Sequence, residues 1–210
     1  MLGASGLVGS SLLKYLLEDH SVKKISLFVR KKLDITNPKL TQIIVDYNNL
    51  ESYSEFFQVD HIFCCLGTTI RTAGSRDAFK QVDFHYVIES AKLGKEKGVK
   101  NFSVVSAMGS NSKSRIFYNR VKGEMENSLQ KIGFESLHIF RPSLLLGNRA
   151  EIRKGEKVGA VLSRVFSFAF IKGLKKYKPI QADYVAKAMI ELAKNKTYGL
   201  QIIESDQMNI

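Results

Sequence analysis

Apolar positions along the chain follow two rhythms. From Ser10 to Glu18 leucines recur at helical spacing, whereas "VKKISLFVR" (22–30) is dense in β-branched and aromatic residues and predicts a strand. "LTQIIVDY" and the almost continuously apolar "VDHIFCCLG" predict two more strands. A helix is expected over about Ser75–Lys97, ended by Gly98, and "KNFSVVSAMG" gives the next strand. "YNRVKGEMENSLQKIG" predicts a helix that stops at Gly133, and "ESLHIFRPSLLLG" a strand running into a proline-containing loop. A late helix over Ala182–Lys194 and a last strand in "LQIIES" complete the alternation.

Strands that alternate with helices and are apolar on both faces predict a parallel sheet covered on each side. Right-handed crossovers turn that order into a doubly wound, Rossmann-like α/β fold, in which ligands sit at the carboxyl ends of the strands. Residues 1–210 are expected to form one such domain, with a small C-terminal substrate, lid or interface segment at about 148–180 inserted before the last helix and strand. At the start of the chain only Met1 and Leu2 precede a glycine turn, too few for a strand of ordinary length, so the first strand reads as truncated and as beginning upstream.

That turn is the first sign of chemistry. Gly3, Gly6 and Gly9 form G-x-x-G-x-x-G directly before a helix, where glycines permit a tight turn, close backbone approach and close helix–strand packing. A helix N-terminus placed there offers free N–H groups and positive partial charge to a pyrophosphate. Where an acidic residue would select NAD, the second strand ends in Arg30 and Lys31, two cations suited to the 2′-phosphate of NADP. Asp46 reads either as a contact to the adenine edge or as an ordinary turn aspartate. Downstream, Tyr118 and Lys122 form Y-x-x-x-K, one turn apart on one helix face. An ammonium beside a phenol favours the phenolate, which suits proton exchange with a carbonyl or alcohol during hydride transfer. Ser106, at the end of the preceding strand, is placed to bond the same oxygen.

Together "LGASGLVG", "FCCLGTT", "AFKQVDFHYV", "FYNRVKGEME" and "FRPSLLLGNR" resemble the short-chain dehydrogenase/reductases in their extended or atypical branch. Within it the chain is most similar to the Tat-interacting-protein oxidoreductases and their small bacterial relatives. The resemblance covers the chain to about residue 153, and beyond it only "KPIQADYVAKAM" fits. It implies NADP(H) as cofactor, with Ser5, Gly6, Leu7 and Val8 around the pyrophosphate, and Arg30 and Lys31 on the 2′-phosphate. Leu66 and Gly67 would lie along the ribose and diphosphate, while Leu145 and Arg153 would close over the cofactor. Tyr118 would be the proton donor or acceptor, with Lys122 lowering its pKa and binding the nicotinamide ribose. One departure stands out: where many relatives carry a serine pair, Ser106 is followed by Ala107, leaving Ser106 or Ser110 to supply the hydroxyl. The implied function is an NADP(H)-dependent oxidoreductase acting on a small carbonyl or alcohol. The alternative is an NADP(H)-binding regulatory or redox-sensing protein with little turnover.

Composition changes this picture little. A net charge of +12 fits a phosphorylated ligand, nucleic acid or an anionic surface, and no specific nucleic-acid partner is expected from charge alone. No apolar run reaches the roughly 18–20 residues of a membrane-spanning helix, and no secretory signal is apparent. The adjacent Cys64 and Cys65 read as small hydrophobes on a buried strand of a cytoplasmic protein. His20, His61, His85 and His138 lack ligand spacing, so no metal is expected. Asp183 reads as a helix-capping aspartate. The apolar Val158–Ile171, followed by Lys172, Lys175, Lys176 and Lys178, reads as a substrate lobe or interface, with peripheral membrane contact the weaker alternative. A monomer or homodimer is expected.

Overall fold

The computed structural model describes residues 1–147, 177–195 and 197–208. Parallel strands joined by crossovers organise the described residues. Helix α1 (Leu7–Glu18) is followed by β1 (Ile25–Val29), β2 (Leu40–Ile44), a kinked 3-10 segment (Tyr47–Phe57) and β3 (His61–Cys64). Then come α2 (Ile70–Ala73), α3 (Arg76–Lys80), a π turn (Gln81–His85), α4 (Tyr86–Glu96) and β4 (Asn101–Val105). Helix α5 (Phe117–Ile132), β5 (Ser136–Arg141), the short pair β6 (Leu145–Leu146) and β7 (Ile180–Gln181), α6 (Ala182–Lys194) and β8 (Gly199–Glu204) complete it.

All neighbouring strands pair in parallel: β1 with β2, and β3, β4, β5 and β8 in that order. Strand alternation decides which core each side chain joins. Phe28, Ile62, Cys64, Phe102 and Val104 face α4, α5 and the 3-10 segment, together with Leu50, Phe57, Val87, Met125 and Leu129. Leu27, Val29, Phe63, Val105 and Phe140 face α1 and α6, with Leu12, Leu16, Val185 and Met189. The doubly wound α/β fold expected from the sequence is the one observed.

The structure adds detail to two of these expectations and corrects a third. Met1 and Leu2 already occupy the central strand position, because Leu2 bridges Phe28 on one side and Cys64 on the other. Leu2 N–H donates to the Phe63 carbonyl at 2.9 Å, Cys65 N–H donates to the Leu2 carbonyl at 2.9 Å, and Phe28 N–H donates to the Met1 carbonyl at 3.0 Å. The helix expected over Ser75–Lys97 runs from Arg76 to Glu96 between those two caps, and the π turn that joins α3 to α4 is a widening that a periodicity count does not register. Asp183 makes no side-chain cap; it sits in the first turn of α6, where it accepts from Tyr15 Oη at 2.7 Å and pairs with Lys187 at 3.3 Å. Arg153, Val158–Ile171, Lys172, Lys175 and Lys176 lie outside the described residues; Lys178 is exposed.

A polar ladder crosses the sheet obliquely, from His61 to Ser103 and His138. His61 Nε2 and His138 Nδ1 lie 2.9 and 3.2 Å from Ser103 Oγ, and His138 Nε2 lies 2.8 Å from Thr197 Oγ1. Burial, aided by mutual repulsion, pushes the His61 imidazole down to about 3, and burial also lowers His138. The sign follows from linkage. Below the ordinary histidine value of about 6.5 the unfolded chain takes up protons that the folded chain refuses. Stability is therefore full above about 6.5 and is lost as pH falls towards 3. Melting temperature measured by scanning fluorimetry should fall steadily from pH 7 to pH 4, and the fall should be shallower in His138→Gln.

Candidate dinucleotide and proton-transfer site

The glycine turn is closed by backbone contacts that no side chain would fit. Gly3 has φ +80°, and a Cβ there would lie 2.4 Å from the Cys65 carbonyl carbon and oxygen. A Cβ on Gly9 would lie 2.1 Å from the Gly3 oxygen, so α1 and the turn touch directly. Gly6 is the N-cap of α1, with no side-chain hydrogen bond to the first turn, and Ser5 and Gly6 are exposed. The mouth of α1 thus presents backbone N–H groups to an anion. Leu7 and Val8 begin the helix, Val8 in the core and Leu7 half-buried. Leu145 packs into the same cluster, and a Cβ on Gly147 would sit 3.1 Å from Leu7 Cδ2, which brings the loop after β5 over the turn. The residues present fit a dinucleotide pyrophosphate.

Arg30 and Lys31 are exposed where the chain leaves β1, and among the described residues neither has an ion-pair partner. Asp46 is exposed, and its carboxylate accepts from Asn48 N–H at 2.9 Å and caps the 3-10 segment. Leu66 and Gly67 follow β3, and a Cβ on Gly67 would lie 3.5 Å from Asp83 Oδ1 and 3.9 Å from Lys122 Nζ.

Helix α5 carries Tyr118, Lys122 and Glu126 at four-residue intervals. Gly123 lets it pass against the loop after β4, where a Cβ would meet Ser112 N at 2.2 Å. Tyr118 is half-buried with its ring 5.4 Å from Phe79. Lys122 is 3% exposed and pairs with Asp83 Oδ1 at 2.8 Å. Burial opposes its charge, but Asp83 and Tyr118 outweigh burial and hold the lysine above its usual value. Asp83, 0% exposed, also accepts from Thr68 N–H at 2.8 Å.

Ser106 is drawn elsewhere. Its hydroxyl donates to Glu126 Oε1 at 2.5 Å and lies 3.0 Å from Ser110 Oγ, while Ser110 donates to the Ala107 carbonyl at 2.6 Å. Glu126, 2% exposed, is gripped by Arg141 through Nε at 3.1 Å and Nη2 at 2.6 Å, and Arg141 also reaches Glu204 at 3.1 Å. The structure therefore brings Tyr118, Lys122 and Gly67 together and turns both serine hydroxyls into a neighbouring network.

Sequence reasoning missed Asp83, Glu126 and Arg141. Two of them carried a signal. Asp83 interrupts the buried stripe Phe79, Val87, Ala91 at four-residue spacing, and Glu126 lies on the buried side of an amphipathic helix.

This fold and site define a Rossmann-type dinucleotide-binding protein. The family model described as NAD(P)H-binding matches residues 3–146, and the chain belongs to that family, among the atypical short-chain dehydrogenase/reductases. The chain is 41% identical over 160 residues to Protein HTATIP2 of Rattus norvegicus, covering 74% of this chain and 66% of that protein. It is 33% identical to the mitochondrial protein FMP52 of Candida albicans, covering 95% and 89% of the two chains. Among solved structures, UDP-glucose 4-epimerase of Thermotoga maritima with UDP-glucose has a TM-score of 0.73 at 16% identity, over 97% of this chain and 75% of that one. MoeE5 in complex with UDP-glucuronic acid and NAD matches equally well, over 97% and 74%. Both support the fold. The FMP52 relatives of Candida albicans and Eremothecium gossypii are named mitochondrial, which overturns the cytoplasmic expectation. That expectation rested on unpaired cysteines, and any reducing compartment accommodates those.

Gly9→Ala should cost about 1–3 kcal/mol, because the methyl group meets fixed backbone, and should abolish dinucleotide binding. Chemical denaturation and a cofactor titration check both.

Proposed function

We propose that the protein is an NADP(H)-dependent oxidoreductase that interconverts a small carbonyl compound and its alcohol. The observation that carries this reading is the approach of Gly67, on the cofactor-lining loop, to Lys122, one helical turn from Tyr118. When bound, the nicotinamide supplies or accepts the hydride. The protein's own residues do the rest. The N–H groups at the mouth of α1 hold the pyrophosphate, Arg30 and Lys31 meet the 2′-phosphate, and Leu145 covers the turn. Tyr118 gives its phenolic proton to the carbonyl oxygen, or takes one from the alcohol, and Lys122 anchors the ribose and the local charge.

A second reading, a dinucleotide-binding regulator with little turnover, draws support from Ser106 and Ser110. Both hydroxyls are engaged within the protein, and Ala107 offers none. Tyr118→Phe separates the two: under the first reading it abolishes turnover in a carbonyl screen while NADPH affinity stays within a few-fold. Fluorescence titration addresses the cofactor. Arg30→Ala combined with Lys31→Ala should weaken NADPH by about tenfold or more, the loss of a charge-assisted contact, and leave NADH nearly unchanged. Equal losses for both cofactors would remove the 2′-phosphate contact from the proposal.

A further inference from the structure

We propose that Asp83 is a positioning residue that cancels the charge of Lys122 and so keeps Tyr118 a phenol, which meets a carbonyl substrate as the proton donor. The direction of proton transfer rests on the oxidoreductase reading above; the charge coupling itself does not.

The argument begins with what an unpaired lysine would do. A buried ammonium beside a phenol favours the phenolate, and a phenolate accepts protons, which serves alcohol oxidation. Here the ammonium is not alone. Asp83 Oδ1 lies 2.8 Å from Lys122 Nζ, and both side chains are shielded from water. The carboxylate cannot swing away, because its second oxygen accepts from Thr68 N–H at 2.8 Å. The pair is neutral as a unit, so its pull on a phenolate is much weaker than that of lysine alone. Among the described residues, the titratable groups acting on Lys122 are Asp83 from the π turn, Tyr118 from its own helix and Cys64 from β3. Burial pushes the Cys64 thiol up to about 11, so it is uncharged at neutral pH. Asp83 is therefore the negative charge that decides the balance.

Reduction then proceeds with atoms and electrons in balance. The hydride adds to the carbonyl carbon, the C=O π pair moves to oxygen, and that oxygen takes the Tyr118 proton as the phenolic O–H bond breaks. The resulting phenolate recovers its proton from solvent. Asp83 also ties Lys122 to Thr68, next to Gly67, so the loop that lines the cofactor and the proton-transfer helix share one anchor.

The test is a tyrosinate absorbance titration of the full chain at 295 nm, which needs no substrate. The Tyr118 transition is the one that Tyr118→Phe removes from the eight tyrosines. It should be alkaline in the wild type, fall by about 1–3 pH units in Asp83→Asn, and rise in Lys122→Met. The doubly neutral Asp83→Asn, Lys122→Met variant should return it close to the wild-type position, which a merely structural role for Asp83 would not produce. An unmoved transition in Asp83→Asn, or a wild-type transition already at neutral pH, overturns the proposal. If circular dichroism shows a single variant unfolded, the doubly neutral one decides, and a transition displaced from wild type overturns the inference. Absence of turnover in the carbonyl screen would count against the oxidoreductase reading and leave this result standing.

Discussion

The sheet is held together at one place by two residues. Met1 and Leu2 lie between β1 and β3, and the hydrogen bonds of Leu2 to Phe63 and Cys65, with that of Phe28 to Met1, join the β1–β2 pair to the four-stranded remainder. Everything at the carboxyl edge depends on that junction. It sets where Gly3 turns, and Gly3 in turn is fixed against the Cys65 carbonyl and by Gly9 on α1. A turn built from backbone against backbone leaves no slack, so the N–H groups at the mouth of α1 are aimed by the sheet itself. This is preorganisation through packing: the cradle costs no reordering when an anion enters.

Helix α5 carries the second constraint. Burying Lys122 and Glu126 on one helix would be prohibitive if either lacked its counter-charge. Asp83 satisfies the first and Arg141 the second, with bidentate geometry. The two pairs do different work. Glu126 with Arg141 and Glu204 ties α5 to the ends of β5 and β8, and takes up the Ser106 hydroxyl at the end of β4. Asp83 with Lys122 sets the charge beside Tyr118. Gly123 between them allows the helix close enough for both. Breaking a buried pair from one side typically costs about 3–5 kcal/mol, so neither partner is free to drift chemically.

The glycine turn, the parallel α/β order and the Tyr118–Lys122 spacing were legible because each depends on residues near one another in sequence. Glycine marks its own turn, a two-sided apolar strand marks a covered sheet, and four-residue spacing marks one helix face. Asp83 escaped because its meaning depends on a partner 39 positions away and on a π turn that shifts no hydrophobic count. Asp46 reads either as a ligand contact or as a turn aspartate, and its carboxylate caps the 3-10 segment. Ser106 was legible as a hydroxyl at a strand end; that it faces Glu126 was not.

The sequence by itself determined the class of fold, the phosphate turn and the presence of a phenol–ammonium pair, since local sterics and periodicity suffice for these. Tertiary structure alone decided that Met1 and Leu2 sit at the central strand position and that the lysine is neutralised by Asp83. It also decided that the serine hydroxyls belong to an internal network. The physical reason is common to all three: hydrogen bonds and charges act through space over a few ångströms, and only folding brings distant positions within that range.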